Sequence, residues 1–325
     1  MYIDIFMELK KALVTGGAGF IASHLVDSLL SQGKTVIVYD NFCTGREEFL
    51  PKHHENLNVI RGDVLDLPTL TGAMAGCDFV FHFQANADVR GGMQNTRLDL
   101  EQNTIATWNV LEAMKLNRAK GIAFASSAAI YGEPDQFPTP ENHAPQQTSL
   151  YGASKYAGEG MIQAYCEYFD MHCFSYRFVS WIGERYTHGI VFDVMKKLAK
   201  NPGSLPLLGD GTQRKSYLYV KDGVRGIMLG IEKSADRKNV YNLGHDYFIT
   251  VAEVANIIVD ELGLKNVAYE FAGGKRGWLG DSPVVHLDTS RIKAHGWKPE
   301  TSIEEGIRRT VRFLKEHPHV FHSRA

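Results

Sequence analysis

Cysteine is scarce in this 325-residue chain, and Cys43, Cys77, Cys166 and Cys173 form no CxxC pair. That spacing suggests no zinc site and leaves reduced thiols packed in an interior as the expectation. Net charge is equally slight, −2 from 35 Lys+Arg against 37 Asp+Glu, so no global field draws the protein to nucleic acid or to a membrane surface. Any anionic ligand must be held locally. The opening stretch Met1–Lys10 has an early acid, no long apolar run and no small-residue cleavage site. It reads as neither a secretory signal nor a membrane span, whether Met1 or Met7 is the start, and a cytoplasmic protein is expected. Internal repeats, low-complexity tracts and flexible linkers are missing too.

What is present is an alternation. Short β-branched runs at Lys11–Thr15, Thr35–Tyr39, Asn58–Arg61, Phe79–Phe83, Gly121–Ser126 and Cys173–Phe178 are separated by helical stretches, the pattern of a parallel sheet covered on both faces. Phe20–Gln32 carries Ile21, Leu25, Leu29 and Leu30 at helical spacing and stops at Gly33, a natural helix terminator. The fold class expected is α/β, a doubly wound Rossmann-type sheet with a smaller C-terminal lobe. After about residue 180 the rhythm loosens around Asn201–Ser204, Gly209–Gly211 and Gly273–Gly274. Thr250-Val-Ala-Glu253 has the form of a capping box opening a helix to Leu262, and Ser302–Leu314 reads as a final amphipathic helix. Residues 1–180 are therefore expected to form a dinucleotide-binding domain, and 181–325 mainly a substrate-binding lobe.

Thr15-Gly-Gly-Ala-Gly-Phe-Ile-Ala22 stands directly between the first strand and the first helix. Gly16 and Gly19 there permit a tight turn and bring backbone N–H groups, with Phe20 and Ile21 opening the helix, up to a pyrophosphate. Ala22 closes the motif, where the residue need only be small. About twenty residues on, the second strand ends in Tyr39-Asp40-Asn41. A carboxylate at Asp40 accepts from adenosine ribose hydroxyls and repels a 2′-phosphate, which favours NAD over NADP; Arg46, close by in sequence, argues the other way. Asp63 and Val64 end the third strand, where Asp63 serves either the adenine or a local cap or turn.

Tyr151-Gly-Ala-Ser-Lys155 is the second informative segment. On a helix the two side chains lie one turn apart on one face. A lysine ammonium favours the tyrosinate and lowers the phenol from its reference value near 10, so that tyrosine serves as a base near neutral pH. Without the glycine turn upstream, the same pair is an ordinary helix-surface coincidence.

The chain resembles the extended short-chain dehydrogenases/reductases, and within them the nucleotide-sugar epimerase/dehydratase group. The likeness spans nearly the whole length and rests on Thr15–Ser23, Asp40, Arg61–Val64, His82–Val89, Ser126-Ser-Ala-Ala-Ile-Tyr-Gly132, Tyr151–Lys155, Gly209–Tyr217 and Gly296-Trp-Lys-Pro299. The resemblance implies that Tyr151 is the catalytic base, that Lys155 holds the nicotinamide ribose and tunes the tyrosine, and that Ser127 hydrogen-bonds the reacting hydroxyl. It also puts Gln84, Asn86 and Asn103 along the cofactor edge. Ser127 taken alone is equally a strand-end serine bonding backbone. The 4,6-dehydratases of the group look different after this hydroxyl, with an Asp-Glu pair, and the decarboxylases carry a glutamate in the stretch. Ala128 and Ala129 cannot do that acid–base chemistry. What the resemblance then implies is an NAD-dependent 4-epimerase of the UDP-glucose/UDP-galactose type: hydride leaves C4, the 4-keto sugar turns over, and hydride returns to the other face.

A nucleotide diphosphate sugar needs basic residues from the second lobe. Lys215 and Arg276 are the candidates, with Arg214 next; taken singly, each is more readily a solvated surface charge. Gly209–Tyr217 looks like the family's uridine-diphosphate segment with its usual Arg-Asp replaced by Lys215-Ser216, and Ser180 stands where relatives carry an asparagine. Trp181, Tyr186, His188 and Phe192 shape the sugar pocket or pack the lobe, packing being favoured. In this family the helix after Asn103, with Ile105, Trp108, Val110, Leu111 and Met114, joins the Tyr151 helix in a dimer interface, so a homodimer is expected. Two rivals stand beside the epimerase: a net oxidoreductase, such as a 4-keto-sugar reductase or dehydrogenase with the same residues, and a non-catalytic NAD-binding regulator on the same fold.

Overall fold

A computed structural model describes residues 9–323; the N-terminal expectation for Met1–Lys10 therefore lies, for its first eight residues, outside the described residues. The first unit comprises Met1–Ser126, Leu150–Tyr176 and Lys233–Val240, and the second Ser127–Ser149, Arg177–Glu232 and Tyr241–Ala325. The sequence rhythm suggests one cut near residue 180. Along the chain, the segment after the fifth strand belongs to the second unit, and the Tyr151 helix belongs again to the first.

The first unit is built on strands β1 (Lys11–Thr15), β2 (Thr35–Asp40), β3 (Leu57–Arg61), β4 (Phe79–His82), β5 (Gly121–Ser127) and β6 (His172–Phe178). With Lys238–Leu243 they make a seven-stranded sheet in the order Lys238–Leu243, β6, β5, β4, β1, β2, β3, the doubly wound order. Pairing is parallel from β3 through β2, β1 and β4 to β5. Helices α1 (Phe20–Ser31), α2 (Leu67–Ala73), α3 (Thr96–Asp99), α4 (Ala106–Asn117) and α5 (Leu150–Phe169) accompany it, with a π-helical turn at Leu100–Ile105 between α3 and α4. The centres of β1, β2, β4 and β5 are almost fully buried, as in Leu13, Val38, Phe81 and Ile122, which is why they read as continuous apolar runs and not as alternating ones, whereas β3, at the sheet edge, leaves Val59 exposed.

The element ends differ slightly from the sequence expectation, each for a local reason. Phe83 lies beyond β4 because its N–H turns to Thr15. Gln32 caps α1 from outside, and Gly33 at φ 71° stops it. Cys77, Cys166 and Cys173 are buried as expected, but Cys43 is exposed: it sits in the loop after β2, its N–H donating to Asn41 Oδ1 at 3.0 Å.

The second unit has smaller sheets. Strand β7 (Ser180–Ile182) pairs in parallel with Tyr217–Tyr219, and Arg214–Lys215 lies between Ile249–Thr250 and Val284–Val285. The Thr250–Glu253 capping box forms, with Thr250 Oγ1 accepting from Glu253 N–H at 3.1 Å and the Glu253 carboxylate receiving Thr250 N–H at 2.6 Å. Ser302 caps the last helix, Ile303–Glu316. Trp181, Tyr186 and Phe192 are packed inside this unit, in keeping with the packing reading; His188 stacks on Tyr186.

Candidate active site

In an open α/β sheet the ligand crevice lies where the strand order reverses, at the carboxyl ends of the strands, here β1 and β4. Thr15 Oγ1 receives the N–H groups of Phe83 at 3.2 Å and Gln84 at 3.3 Å. Gly16 follows at φ 66°, and a Cβ on it would stand 2.9 Å from Gln84 Cα. A side chain therefore fails at Gly16 on both counts, conformation and space. Gly19 is the N-cap of α1 with no side-chain hydrogen bond, and the helix has no acid in its first turn. Phe20 there is buried and Ile21 half-buried. A helix N-terminus of this kind favours an anion. Gln84 Oε1 is buried without a hydrogen-bond partner. Gly16, the α1 N-terminus and Gln84 thus fit a dinucleotide.

Asp40 ends β2, buried, its Oδ2 receiving Ala18 N–H at 2.9 Å and its Oδ1 receiving Phe42 N–H at 2.8 Å. Burial pushes its pKa up, and those two donors and Arg61 pull it back. A carboxylate offers about four lone-pair sites, so Asp40 has acceptors left for ribose hydroxyls. Arg46 is tied to Glu48 at 2.8 Å and Arg61 to Glu47 at 2.9 Å. These four, with Phe42 and Gly45, line an open depression of about 340 Å³; a 2′-phosphate there would meet two guanidinium groups and the two carboxylates already paired with them. Asn41 Nδ2 donates to Asp63 Oδ2 at 3.3 Å, and Asp63 Oδ1 takes Leu65 N–H at 2.9 Å, a turn role. Val64 is buried, its carbonyl receiving Asn109.

Tyr151 and Lys155 lie in the first two turns of α5. Lys155 is 2 % exposed. Its Nζ donates to the Ala125 carbonyl at 2.8 Å and stands 5.9 Å from the Tyr151 ring centroid. Burial draws the ammonium down to about 7, opposed by Asp99 and then Glu159. Asn103, in the π-helical turn, accepts Asn86 N–H at Oδ1 (2.9 Å) and donates through Nδ2 to Asp99 Oδ1 (3.1 Å) and Ser154 Oγ (2.9 Å). Ser154 in turn donates to the Tyr151 carbonyl at 2.8 Å. Among the expected groups the first unit therefore joins Tyr151, Lys155 and Asn103 in one hydrogen-bonded and electrostatic cluster.

Ser127 closes β5, two residues after the carbonyl that holds Lys155. Its Oγ accepts Ala129 N–H at 3.1 Å, the backbone role weighed above, while its own proton stays available to an acceptor. In the second unit Ser180 is exposed at the start of β7, in register with Tyr217. Lys215 Nζ is paired with Asp281 Oδ1 at 2.7 Å and also donates to the Ser282 carbonyl. Arg276 is paired with Glu133 at 2.5 Å. Both basic candidates thus already hold carboxylates. Sequence reasoning missed Asp99, Glu159, Glu133 and Asp281. A trace existed only for the first two, each spaced four residues along a helix from Asn103 or Lys155.

A sheet of this order, with a glycine-capped helix N-terminus that carries no acid at its switch point, an acid ending β2 and a Tyr–Lys pair whose lysine is buried, has the form of a dinucleotide-binding fold. Residues 12–244 match the NAD dependent epimerase/dehydratase family, and the chain belongs to that family. It is 33% identical over 310 residues to a putative UDP-glucose 4-epimerase of Methanocaldococcus jannaschii, covering 93% of this chain and 98% of that one. It also resembles two solved structures. The UDP-glucose 4-epimerase of Thermus thermophilus in complex with NAD has 31% identity and a TM-score of 0.85, covering 94% of this chain and 99% of that one. The UDP-glucose 4-epimerase of Thermotoga maritima with UDP-glucose has 30% identity and a TM-score of 0.83, with the same coverage. Among the described residues no helix is long and apolar enough to cross a membrane, and no His/Cys/Asp/Glu group is placed to hold a metal.

Proposed function

We propose that the protein is a nucleotide-sugar 4-epimerase of the UDP-glucose/UDP-galactose type that keeps NAD through the catalytic cycle. The observation that carries this is the Tyr151–Lys155–Asn103 cluster, with Lys155 and Asn103 buried and Tyr151 half-buried, combined with Ala128-Ala129 after Ser127, which offers proton transfer at one hydroxyl and no second acid–base pair for elimination. The relatives of the same length support it. Gly16, Gly19, Phe20 and Ile21 hold the pyrophosphate; Asp40, with Asn41, Asp63 and Val64, the adenosine end; Gln84 and Asn103 the far edge. NAD, when bound, supplies reversible hydride chemistry.

Tyr151 takes the proton of the C4 hydroxyl as that carbon becomes a ketone and returns it when the opposite face is reduced. Lys155 stabilises the phenolate, and Ser127 donates to the same oxygen. Ser180, Lys215 and Arg276 hold the diphosphate, with Asp281 and Glu133 giving way to it. The first unit is on this reading the NAD half and the second mainly the substrate half, in a cytoplasmic homodimer. The dimer is supported by apolar side chains left exposed on α4 and α5 and the turn before them, Ile105, Trp108, Tyr156 and Tyr168.

The test is purified protein given UDP-glucose, or separately UDP-galactose, without added cofactor and followed by NMR. Interconversion is expected. Formation of an oxidised or reduced sugar in step with added nicotinamide cofactor would instead select the net oxidoreductase.

A further inference from the structure

Asp99 is a buried charged group with no part in that chemistry. It ends α3, is 1 % exposed, and treats its two oxygens differently. Oδ1 accepts from Asn86 Nδ2 at 2.9 Å and from Asn103 Nδ2 at 3.1 Å. Oδ2 is buried with no hydrogen-bond partner, and a Cβ on Gly92 would come within 2.6 Å of it. A buried carboxylate oxygen without a donor is costly unless a cation lies close. The available cation is Lys155. Helix α3 packs on α5, Asn103 links Asp99 to Ser154 beside Lys155, and Asp99 and Lys155 each favour the other's charged form.

We propose that Asp99 is the counter-ion that keeps Lys155 protonated, and is thereby a positioning residue for Tyr151 as base; this rests on the roles given to Tyr151 and Lys155 above. The other groups facing Lys155 do less. Glu159, on α5 itself, favours the charged lysine less than Asp99 does and is held by Ser126 Oγ at 2.5 Å. His82 on β4 is kept neutral by burial, its pKa drawn down to about 3. Phe124 on β5 presents a ring, 4.8 Å from Nζ to its centroid. The Asp99 carboxyl itself is pushed up chiefly by burial, against the pull of the Asn86 bond and of Lys155, with Asp88, beyond β4, adding a smaller push.

The sign of the effect follows. Without the charge at position 99, Lys155 gives up its proton at lower pH, because burial is then opposed by Glu159 alone. A neutral lysine no longer favours the tyrosinate, so Tyr151 holds its proton more tightly and the acid limb of the rate profile moves to higher pH.

Asp99→Asn keeps the Oδ1 acceptor and the shape. In the holoenzyme it is expected to move the acid limb of kcat/KM for UDP-glucose up by about one unit, roughly tenfold in rate below the limb, with the rate recovered above it. Glu159→Gln is expected to move it less. A limb that stays put while activity falls equally at every pH overturns the proposal, as does a larger shift in Glu159→Gln. A second readout does not use turnover: NMR of side-chain-labelled lysine, with Lys155 assigned through Lys155→Met, should show Lys155 titrating at lower pH in Asp99→Asn, or in Asp99→Ser if the first variant does not fold. An unchanged titration overturns the proposal. Turnover by Tyr151→Phe would overturn the underlying reading instead, whatever residue 99 does.

Discussion

Lys155 and Lys215, one in each unit, are both largely withdrawn from solvent and are satisfied in opposite ways. Lys155 gives Nζ to the Ala125 carbonyl, and the carboxylates of Asp99 and then Glu159 favour its charged form against burial. Lys215 is clamped on Asp281 and on the Ser282 carbonyl. Burial brings the Lys155 ammonium down to about 7, within reach of a proton-transfer role, whereas the ion pair of Lys215 ties together the segments it joins. On the proposed reading the first unit serves proton transfer, and the second serves anchoring that a more strongly charged ligand can compete for.

The largest expected effect strikes the first side of that contrast. Tyr151→Phe is expected to lower kcat by about 10²–10⁴-fold, while NAD, measured by release on denaturation, stays bound at the wild-type ratio. Lys215→Met tests the second side. Leaving Asp281 largely buried without its cation is expected to cost about 3 kcal/mol of stability in denaturant melts, and to raise KM more than it lowers kcat. Arg276→Met, whose pair with Glu133 is half-exposed, is expected to cost under about 1 kcal/mol of stability while still raising KM. Equal stability losses in the two variants would erase the distinction between strut and ligand-facing cation.

A smaller effect sharpens the first unit's side. His82 is fully buried between Thr15 and Thr107, and burial pulls its pKa to about 3. An unfolded histidine titrates near 6.5. Between those values the unfolded chain binds a proton that the native chain refuses, so stability falls as pH drops through that window. From pH 7 to pH 5 this group is expected to remove about 2 kcal/mol, and His82→Gln to flatten the dependence by that amount in denaturant melts. The smallest effect lies in the second unit. Thr250→Ala removes a complete capping box and is expected to cost about 1 kcal/mol, read as a drop in Tm.

The two units also differ in how far they were legible from sequence. Strands β1, β2, β4 and β5 announced themselves because parallel strands buried on both faces are continuous apolar runs, and the glycine turn because Gly16 has to adopt a conformation and a closeness that other residues refuse. Asp40 was legible by its distance from that turn, but its bonds to Ala18 and Phe42 were not, since they depend on the loop closing back over the strand end. Asp99 was hidden because a carboxylate on a short helix is ordinarily solvated, and here packing against α5 and the neighbouring turns buries it. In the second unit almost nothing about the basic residues was legible. Lys215 meets Asp281 across 66 residues, and Glu133, Arg276's partner, belongs to a segment the sequence rhythm assigned to the other unit. Local pattern carries no information about such pairs.

The central claim, that the first unit removes and returns one hydrogen at one carbon without releasing its cofactor, is tested most directly with UDP-glucose deuterated at C4. The account predicts UDP-galactose that retains the deuterium at C4, formed without added nicotinamide cofactor. Deuterium lost to solvent, or carried away on a released reduced cofactor while a keto sugar accumulates, would contradict it.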